Sequence, residues 1–208
     1  MRFANRQQAG IQLGERLAAM DLTDPLVIGM ARGGVPVAAE VARALGVPFD
    51  VAVVRKIGAP HQPEAAIGAI AEQGARVINE RAARALGLSD EDVDALAAHE
   101  RAELDRRLAA YRDGRPAPDV AGRTVVLVDD GLATGMTALA AAESMRRQGA
   151  ARVVLAVPVC AAQAQDEVPD GTVDELVCLY APEQMLAVSM WYENFAQTTD
   201  EEAMALLA

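Results

Sequence analysis

The stretch from Val125 to Thr137 constrains the fold of this chain more than any other. Val125–Val128 is wholly apolar, as expected of a buried parallel strand, and the adjacent carboxylates Asp129 and Asp130 follow it. A loop rich in glycine and threonine then leads into a run with helical spacing. Backbone N–H groups at a helix N-terminus bind phosphate, and paired carboxylates bind sugar hydroxyls or a hydrated metal. The stretch therefore predicts a site for a phosphorylated ligand.

Composition narrows the class of protein. The 208 residues carry a formal net charge of −11, which argues against broad binding to nucleic acid or to an anionic membrane. Cys160 and Cys178 both lie in apolar runs and are interpreted as buried free thiols in a reducing compartment. The sequence has no signal-like N-terminus and no apolar run long enough to cross a bilayer, so we expect a cytoplasmic protein.

The first part of the chain predicts a β–α–β unit. An amphipathic helix over residues 5–20 precedes the apolar run Leu26–Met30, which is interpreted as a central strand. The loop Ala31–Gly34 leads to a helix over Pro36–Leu45, and Val51–Val54 forms the next strand. Such a connection favours a parallel sheet with a right-handed crossover.

Residues 56–118 are predicted to be an insertion between the second and third core strands. The segment Arg55–Glu64, which spans the start of this insertion, combines adjacent cations with two prolines and a glycine. It is expected to be an exposed loop. The elements predicted after it are a β-hairpin over residues 67–78, a short helix over 80–87, a longer helix capped by Ser89 and a linker over 114–122.

The alternation of helix and strand resumes after the two adjacent acids. The predicted elements are a helix ending at Gln148, a strand over Val153–Val157, a helix around 161–167, a strand over Asp174–Leu179 and a last helix ending near Leu207. Thr199–Glu202 has the spacing of a capping box at the start of that last helix.

Signatures of several other site types are absent from the sequence. It contains no phosphate-loop motif G-x-x-x-x-G-K-[ST], no G-x-G-x-x-G after a strand and no G-x-S-x-G elbow. His61 and His99 form no metal-ligand spacing with cysteine and are interpreted as ordinary polar residues of a loop and a helix. These absences argue against a P-loop NTPase, a dinucleotide-binding site and a serine hydrolase.

The stretch Val125–Thr137 resembles the phosphoribosyl-diphosphate (PRPP) binding motif of type I phosphoribosyltransferases over the whole motif. The resemblance implies that Asp129 and Asp130 bind the ribose 2- and 3-hydroxyls, directly or through Mg²⁺. It also implies that the loop wraps the 5-phosphate with backbone N–H groups and threonine hydroxyls. The loop residues are Gly131, Leu132, Ala133, Thr134, Gly135, Met136 and Thr137.

Two further elements match places where this family binds the diphosphate of PRPP. One is the loop after the first core strand, with a cis non-proline peptide expected at or next to Arg32; a plain glycine turn is the alternative. Arg55 and Lys56 stand near the family's flexible loop, although a solvated strand end is also consistent with them. The residues of the first loop are Ala31, Arg32, Gly33 and Gly34.

Two positions bear on the base. Family members that use 6-oxopurines carry an acid where this chain has Ala133, so hypoxanthine and guanine are disfavoured, and the local sequence is closer to adenine-type and amidotransferase-like members. Trp191 is a candidate for stacking on a base, but ordinary packing of the C-terminal tail explains it equally well.

The whole chain is similar to a group of stand-alone bacterial phosphoribosyltransferase-domain proteins. The implied fold is α/β, with a five-stranded, mostly parallel sheet flanked by helices on both faces. We expect one domain over residues 1–208. Its core would comprise 1–55 and 119–180, and a helical and hairpin hood would comprise 56–118 and the tail 181–208.

Two functions of different classes are consistent with these motifs. The first is an Mg²⁺-dependent enzyme that transfers the 5-phosphoribosyl group from PRPP to a small nitrogenous base. Asp129, Asp130, Arg32 and Lys56 are then predicted to act in catalysis, and the two aspartates also as metal ligands. The second is a PRPP- or nucleotide-sensing regulatory protein without turnover; hydrolysis of a sugar phosphate is a third, weaker option. A homodimer is expected, with no nucleic-acid or membrane partner.

Overall fold

The computed structural model describes residues 2–60, 62–164 and 171–207, with the backbone alone for residues 62–65. The strands are β1 (Pro25–Met30), β2 (Phe49–Ala52), β3 (Arg55–Ala59), β4 (Gln62–Ile70), β5 (Arg76–Ile78), β6 (Thr124–Val128), β7 (Arg152–Val159) and β8 (Glu175–Tyr180). The helices are α1 (Arg6–Ala18), α2 (Gly34–Leu45), α3 (Glu80–Ala85), α4 (Asp90–Arg112), α5 (Met136–Arg147) and α6 (Asp200–Leu207).

A parallel five-stranded sheet, in the order β2-β1-β6-β7-β8, confirms the predicted α/β fold class. Its central strands are continuous apolar runs because helices cover both faces. Gly29 of β1 lies opposite Val128 of β6, so the two strands end side by side. The loops that follow β1 and β6 therefore meet at the carboxyl edge of the sheet, where ligands of open α/β sheets bind.

The helices divide between the two faces of this sheet. Leu13 and Leu17 of α1 pack with Val37 and Val41 of α2 against one face. Ala138, Ala141 and other small residues of α5 pack against the opposite face. Small side chains on α5 allow a second layer to approach it, and Ala140 contacts Ala69 of β4.

That second layer is a separate antiparallel sheet in the order β3-β4-β5. The predicted hairpin is confirmed by the pairing of Gly68–Ile70 with Arg76–Ile78. The predicted exposed loop at 55–64 is wrong, because Arg55–Ala59 pairs with β4 and buries Ile57 and Ala59. This sheet, α3 and α4 occupy the range predicted as an insertion, whose role as a hood stays a prediction.

Most remaining elements lie where the sequence predicts them, with shifted ends. The second core strand is Phe49–Ala52 rather than Val51–Val54. Ser89 caps α4, and Thr199 and Glu202 exchange the two hydrogen bonds of a capping box before α6. The helix predicted around 161–167 falls largely outside the described residues. Among the helices described, none is both long and apolar enough to cross a bilayer.

Candidate functional site

The loops after β1 and β6 touch each other through glycines. A Cβ atom at Gly33 would stand 2.1 Å from Oδ2 of Asp130, and one at Gly34 would stand 2.4 Å from the carbonyl oxygen of Val128. Side chains larger than glycine therefore cannot occupy these positions without moving the acids. The expected cis non-proline peptide is present between Ala31 and Arg32.

Arg6, at the start of α1, holds the side chain of Asp130. Its Nε and Nη2 both lie 2.8 Å from Oδ2 of Asp130, and its Nη1 donates to the carbonyl oxygen of Ala196 at 2.7 Å. The guanidinium also lies 3.9 Å from the centre of the Phe195 ring, within the range of a cation–π contact. The N-terminal helix and the C-terminal tail thus converge on one acid of the predicted motif.

Tyr192 supports the same acid from the backbone side. Its hydroxyl donates to the carbonyl oxygen of Asp130 at 2.6 Å, and its ring packs between those of Phe3 and Phe195. The N–H of Asp130 donates to Oδ1 of Asp129 at 2.8 Å. These contacts fix the backbone at the strand tip and leave Oδ1 of Asp130 and Oδ2 of Asp129 for a ligand.

The two acids have raised pKa values. Burial raises the pKa of Asp129 well above its usual range, and the neighbouring Asp130 carboxylate raises it further. Burial also raises the pKa of Asp130, while the Arg6 guanidinium opposes this effect. A cation or hydroxyl groups bound beside the two acids would therefore stabilise their ionised carboxylates, whose negative charge the protein itself offsets only in part.

The loop from Gly131 to Thr137 corrects one part of the prediction. Leu132 is buried, its N–H donates to Val159 and its carbonyl accepts from Ala161, so it cannot offer an N–H group to phosphate. The N–H groups of residues 133–137 have no hydrogen-bond partner within the described part of the chain. They lie at the N-terminus of α5, which is the arrangement that binds phosphate.

Cations line the same cleft as the two acids, and the cleft has a volume of about 710 Å³. Arg55 donates to Glu100 of α4 through Nε at 2.9 Å and Nη2 at 2.8 Å, while Lys56 is exposed. The predicted residues that line the cleft are Ala31, Arg32, Gly33, Arg55, Lys56, Asp129, Asp130 and Thr137. The sequence-predicted diphosphate cations and the two acids are thus brought together.

Other predicted residues lie apart from this lining. Trp191 lines a separate depression with Leu186 and Met190, so the structure does not place it in the cleft. Residues 192–199, after the 3₁₀ turn Val188–Trp191, are not helical, and Tyr192 rather than Trp191 contacts the backbone of Asp130. The residues of the predicted set that do not line the cleft are Gly34, Gly131, Leu132, Ala133, Thr134, Gly135, Met136 and Trp191.

Several residues of the cleft were missed by sequence reasoning. Arg6 is 124 positions from Asp130 and looks like any polar residue on an amphipathic helix. No local signal connects the two, because their contact depends on how α1 packs beside the end of β6. The further lining residues outside the predicted set are Val54, Gly58, Glu100, Arg107, Phe195, Gln197 and Thr198.

The carboxylates can hold only part of a metal coordination sphere. Among the described residues, no cluster of three or more histidine, cysteine, aspartate or glutamate side chains has metal-binding geometry. Asp129 and Asp130 supply the hard oxygen ligands that Mg²⁺ prefers, and this ion commonly takes its remaining ligands from water and substrate phosphates. The residues therefore fit a metal that arrives with a phosphorylated ligand.

Comparisons with known proteins agree with this geometry. The family profile described as "Phosphoribosyl transferase domain" matches residues 5–189. A Mycobacterium tuberculosis protein named "Putative phosphoribosyl transferase Rv0571c" is 46% identical over 208 residues, which are 99% of this chain and 46% of that protein. The chain thus spans about half the length of the curated relatives it matches.

Solved structures of other proteins share the fold of this chain. The crystal structure of TT1426 from Thermus thermophilus is 43% identical, with a TM-score of 0.83, and the match covers 100% of this chain and 98% of that one. The AQ2163 protein from Aquifex aeolicus shares the fold at 11% identity, with a TM-score of 0.54 and coverage of 98% and 86%. The profile match, the identity and the shared fold confirm the resemblance, and the chain belongs to the phosphoribosyl transferase domain family.

Proposed function

We propose that the chain binds PRPP with Mg²⁺ and transfers its 5-phosphoribosyl group to a nitrogenous base with release of diphosphate. Family membership supports the role of a transferase. One observation carries the finer proposal: a single cleft joins the acids Asp129 and Asp130 to the cations Arg32 and Lys56. PRPP combines vicinal hydroxyls, which suit carboxylates, with a diphosphate, which suits cations.

Each part of PRPP has a matching group at the edge of the sheet. The ribose 2- and 3-hydroxyls would donate to Asp129 and Asp130. The 5-phosphate would lie at the N-terminus of α5, where the N–H groups of residues 133–137 and the hydroxyls of Thr134 and Thr137 would contact it. The diphosphate would lie against Arg32 and Lys56, where the glycine pair keeps the loop close to the acids.

The transfer needs little covalent chemistry from the protein. The bond from ribose C1 to the diphosphate oxygen breaks with its electron pair leaving on diphosphate, and the lone pair of the base nitrogen forms the new bond to C1. The nitrogen then loses its proton to water. Arg32 and Lys56 stabilise the negative charge that develops on the leaving group, and the acids hold the ribose in position.

Mg²⁺ fits this arrangement through Asp129 and Asp130. Burial raises the pKa of both carboxyl groups, so a divalent cation beside them would favour their ionised forms. When bound, the metal would neutralise charge on PRPP and make diphosphate a better leaving group. Arg6 keeps one oxygen of Asp130 occupied, which leaves the other free to face the ligand.

The decisive test is the double variant Asp129→Asn with Asp130→Asn. Because hydrogen bonds to charged groups contribute about 1.5–3 kcal/mol each, PRPP affinity should fall at least about 100-fold by isothermal titration in the presence of Mg²⁺. The control is Asp94→Asn, an exposed carboxylate paired with Arg76 outside the cleft. Unchanged affinity in the double variant would contradict the site.

A second measurement separates an enzyme from a binding protein. Wild-type protein incubated with PRPP, Mg²⁺ and a panel of nitrogenous bases should release diphosphate with at least one of them. Binding of PRPP without diphosphate release from any base would support a sensing role instead.

A further inference from the structure

Helix α4 contributes a cation to the cleft in addition to Arg32 and Lys56. Glu100 and Arg107 of this helix both line the cleft that contains the two strand-tip acids. These positions are seven apart, so they lie two turns from each other on one face of the helix. That face of α4 therefore forms part of the cleft wall, and Arg107 is the cation that the helix presents there.

Arg107 lies on the inward side of α4, between two buried residues. Leu104, three positions before it, is fully buried, and Tyr111, four positions after it, is 3% exposed. Residues three and four apart share one side of a helix, so Arg107 points toward the body of the protein. Its side chain is 24% exposed, whereas that of the neighbouring Arg106 is 65% exposed. A charge placed on this side loses part of its hydration and needs an anion as compensation.

The fold uses only part of the Arg107 guanidinium. Its Nε donates to Oε1 of Glu103 at 2.8 Å. The same carboxylate also accepts from Nε and Nη2 of Arg106, at 2.8 and 2.9 Å, so one negative charge serves two guanidinium groups. Within the part of the chain that the structure describes, Nη1 and Nη2 of Arg107 make no hydrogen bond. These two nitrogens are left to donate to an anion in the cleft.

The other cations of the cleft are of two kinds. Arg6 and Arg55 are already paired, since each guanidinium lies 2.8 Å from a carboxylate oxygen. Arg32 and Lys56 form no ion pair with another described residue and face the same cleft. A diphosphate carries several negative charges, more than these two cations offset, so a third cation in the cleft suits it.

Arg107 and Arg32 act on the same buried hydroxyl. The Tyr111 hydroxyl donates to Asp200 of α6, and burial together with this hydrogen bond raises the pKa of Tyr111. The positive charges of Arg107 and Arg32 oppose the rise. Because such effects weaken with distance, both guanidinium groups lie near this hydroxyl. Two like charges gathered in one place favour binding of an anion that contacts both.

We propose that Arg107 binds the diphosphate of PRPP together with Arg32 and Lys56. This inference rests on the proposed function and gives helix α4 of the inserted segment a direct part in the reaction. The diphosphate leaves with the electron pair of its bond to ribose C1, and the Nη groups of Arg107 would donate to its oxygens as that charge develops. A helix that only supports the fold has no need of an inward cation with two unused donors.

The experiment compares Arg107→Gln with Arg106→Gln. Each variant removes one positive charge from α4 and leaves Glu103 with one arginine partner, but of the two residues only Arg107 lines the cleft. Isothermal titration measures the affinity for PRPP and for inorganic diphosphate, each with Mg²⁺, and for ribose 5-phosphate. Arg107→Gln should weaken binding of PRPP and of diphosphate at least about 10-fold and leave that of ribose 5-phosphate within about 2-fold of wild type.

Two controls separate a lost contact from a disturbed fold. Arg106→Gln should keep all three affinities within about 2-fold of wild type, and urea denaturation should show a similar stability for the two glutamine variants. Arg107→Lys keeps the positive charge but loses the paired Nη donors, so its affinity for diphosphate should lie between those of wild type and Arg107→Gln.

The outcomes distinguish this inference from the function on which it rests. Wild-type protein that binds neither PRPP nor diphosphate overturns both. Wild-type protein that binds PRPP but releases diphosphate with no base overturns the transfer alone. A wild-type diphosphate affinity in Arg107→Gln, or an equal loss in Arg106→Gln, overturns the role of Arg107 alone. A loss of ribose 5-phosphate binding as large as that of diphosphate binding overturns it too, because the effect is then not specific to the diphosphate.

Discussion

Two ion pairs of similar length and burial have very different surroundings. Arg6 and Asp130 are 2.8 Å apart with side chains 11% and 14% exposed, and Arg112 and Glu72 are 2.6 Å apart with side chains 16% and 6% exposed. Arg6 also donates to a backbone carbonyl and lies against Phe195. By contrast, Oε1 of Glu72 and Nε of Arg112 have no hydrogen-bond partner among the described residues.

We interpret the first pair as part of the proposed ligand site and the second as a support of the fold. Arg6–Asp130 stands at the tip of a central strand and lines the cleft. Glu72–Arg112 fastens the turn between β4 and β5 to the end of α4, and Arg101 reinforces it by donating to the carbonyl of Ala71 at 3.2 Å. We therefore expect loss of the first pair to weaken ligand binding and loss of the second to weaken folding.

The largest effect is expected from breaking the Glu72–Arg112 pair. Glu72→Leu leaves the Arg112 charge buried without a counter-charge or a hydrogen-bond acceptor and should lower the free energy of unfolding by about 3 kcal/mol, measured by urea denaturation. PRPP affinity of the folded protein should stay within about 2-fold of wild type, because neither Glu72 nor Arg112 lines the cleft.

A matched double variant tests whether the instability comes from the unpaired Arg112 charge. Replacing both partners by apolar residues, Glu72→Leu with Arg112→Met, should restore most of the lost stability, because the cost of burying two charges disappears with them. A double variant as unstable as Glu72→Leu alone would contradict this explanation.

Arg6→Gln should weaken PRPP binding more than it weakens folding. Asp130 loses a charge-assisted interaction of about 1.5–3 kcal/mol, so PRPP affinity should fall roughly 10- to 100-fold by isothermal titration. Stability should change less than in Glu72→Leu, because Asp130 can take up a proton when its partner is gone. Arg6→Lys keeps the positive charge but loses the paired guanidinium N–H donors, so its PRPP affinity should be intermediate. A PRPP affinity equal to wild type in Arg6→Gln would show that the Arg6–Asp130 pair does not contribute to ligand binding.

The pH dependence of stability should also distinguish the second pair. Burial raises the pKa of Glu72 above 4.5, and Arg112 offsets this only in part while Asp50 adds to it. The native state then binds the proton more tightly than the unfolded state, so stability increases as pH falls from neutral toward 4.5 and is lost as pH rises through the native pKa. The slope from one such group is at most about 1.4 kcal/mol per pH unit. The difference between the stability–pH profiles of wild type and Glu72→Gln measures the contribution of Glu72 ionisation. Parallel profiles would contradict a raised pKa of Glu72.

The smallest effects should come from two neighbouring aromatic residues. Tyr192→Phe removes one hydrogen bond to the carbonyl of Asp130 and should weaken PRPP binding by about 0.5–1.5 kcal/mol. Trp191→Leu should leave PRPP affinity unchanged, because Trp191 lines a different depression. A larger loss in Trp191→Leu than in Tyr192→Phe would mean that the tail is arranged differently in the bound state.

Sequence reasoning succeeded where chemistry and structure are encoded locally. The apolar run before Asp129 and the glycines after β1 predicted a parallel strand, a close loop and a common edge of the sheet, and these elements lie as expected. It failed at Arg55–Ala59, where a glycine and nearby prolines suggested a loop. Pairing with β4 and burial of Ile57 made this segment a strand, since tertiary contacts override weak local propensity.

The segment Asp129–Thr137, which follows β6, shows which features the sequence determines and which the tertiary structure determines. Its residue types determined that two acids would stand at a strand tip before a helix N-terminus, because these preferences act within a few residues. Tertiary structure alone decided that Leu132 turns its N–H to Val159, and that Arg6 and Tyr192 hold Asp130. The two contacts to Asp130 join segments 62 and 124 positions apart, and a single sequence carries no local signal for such distances.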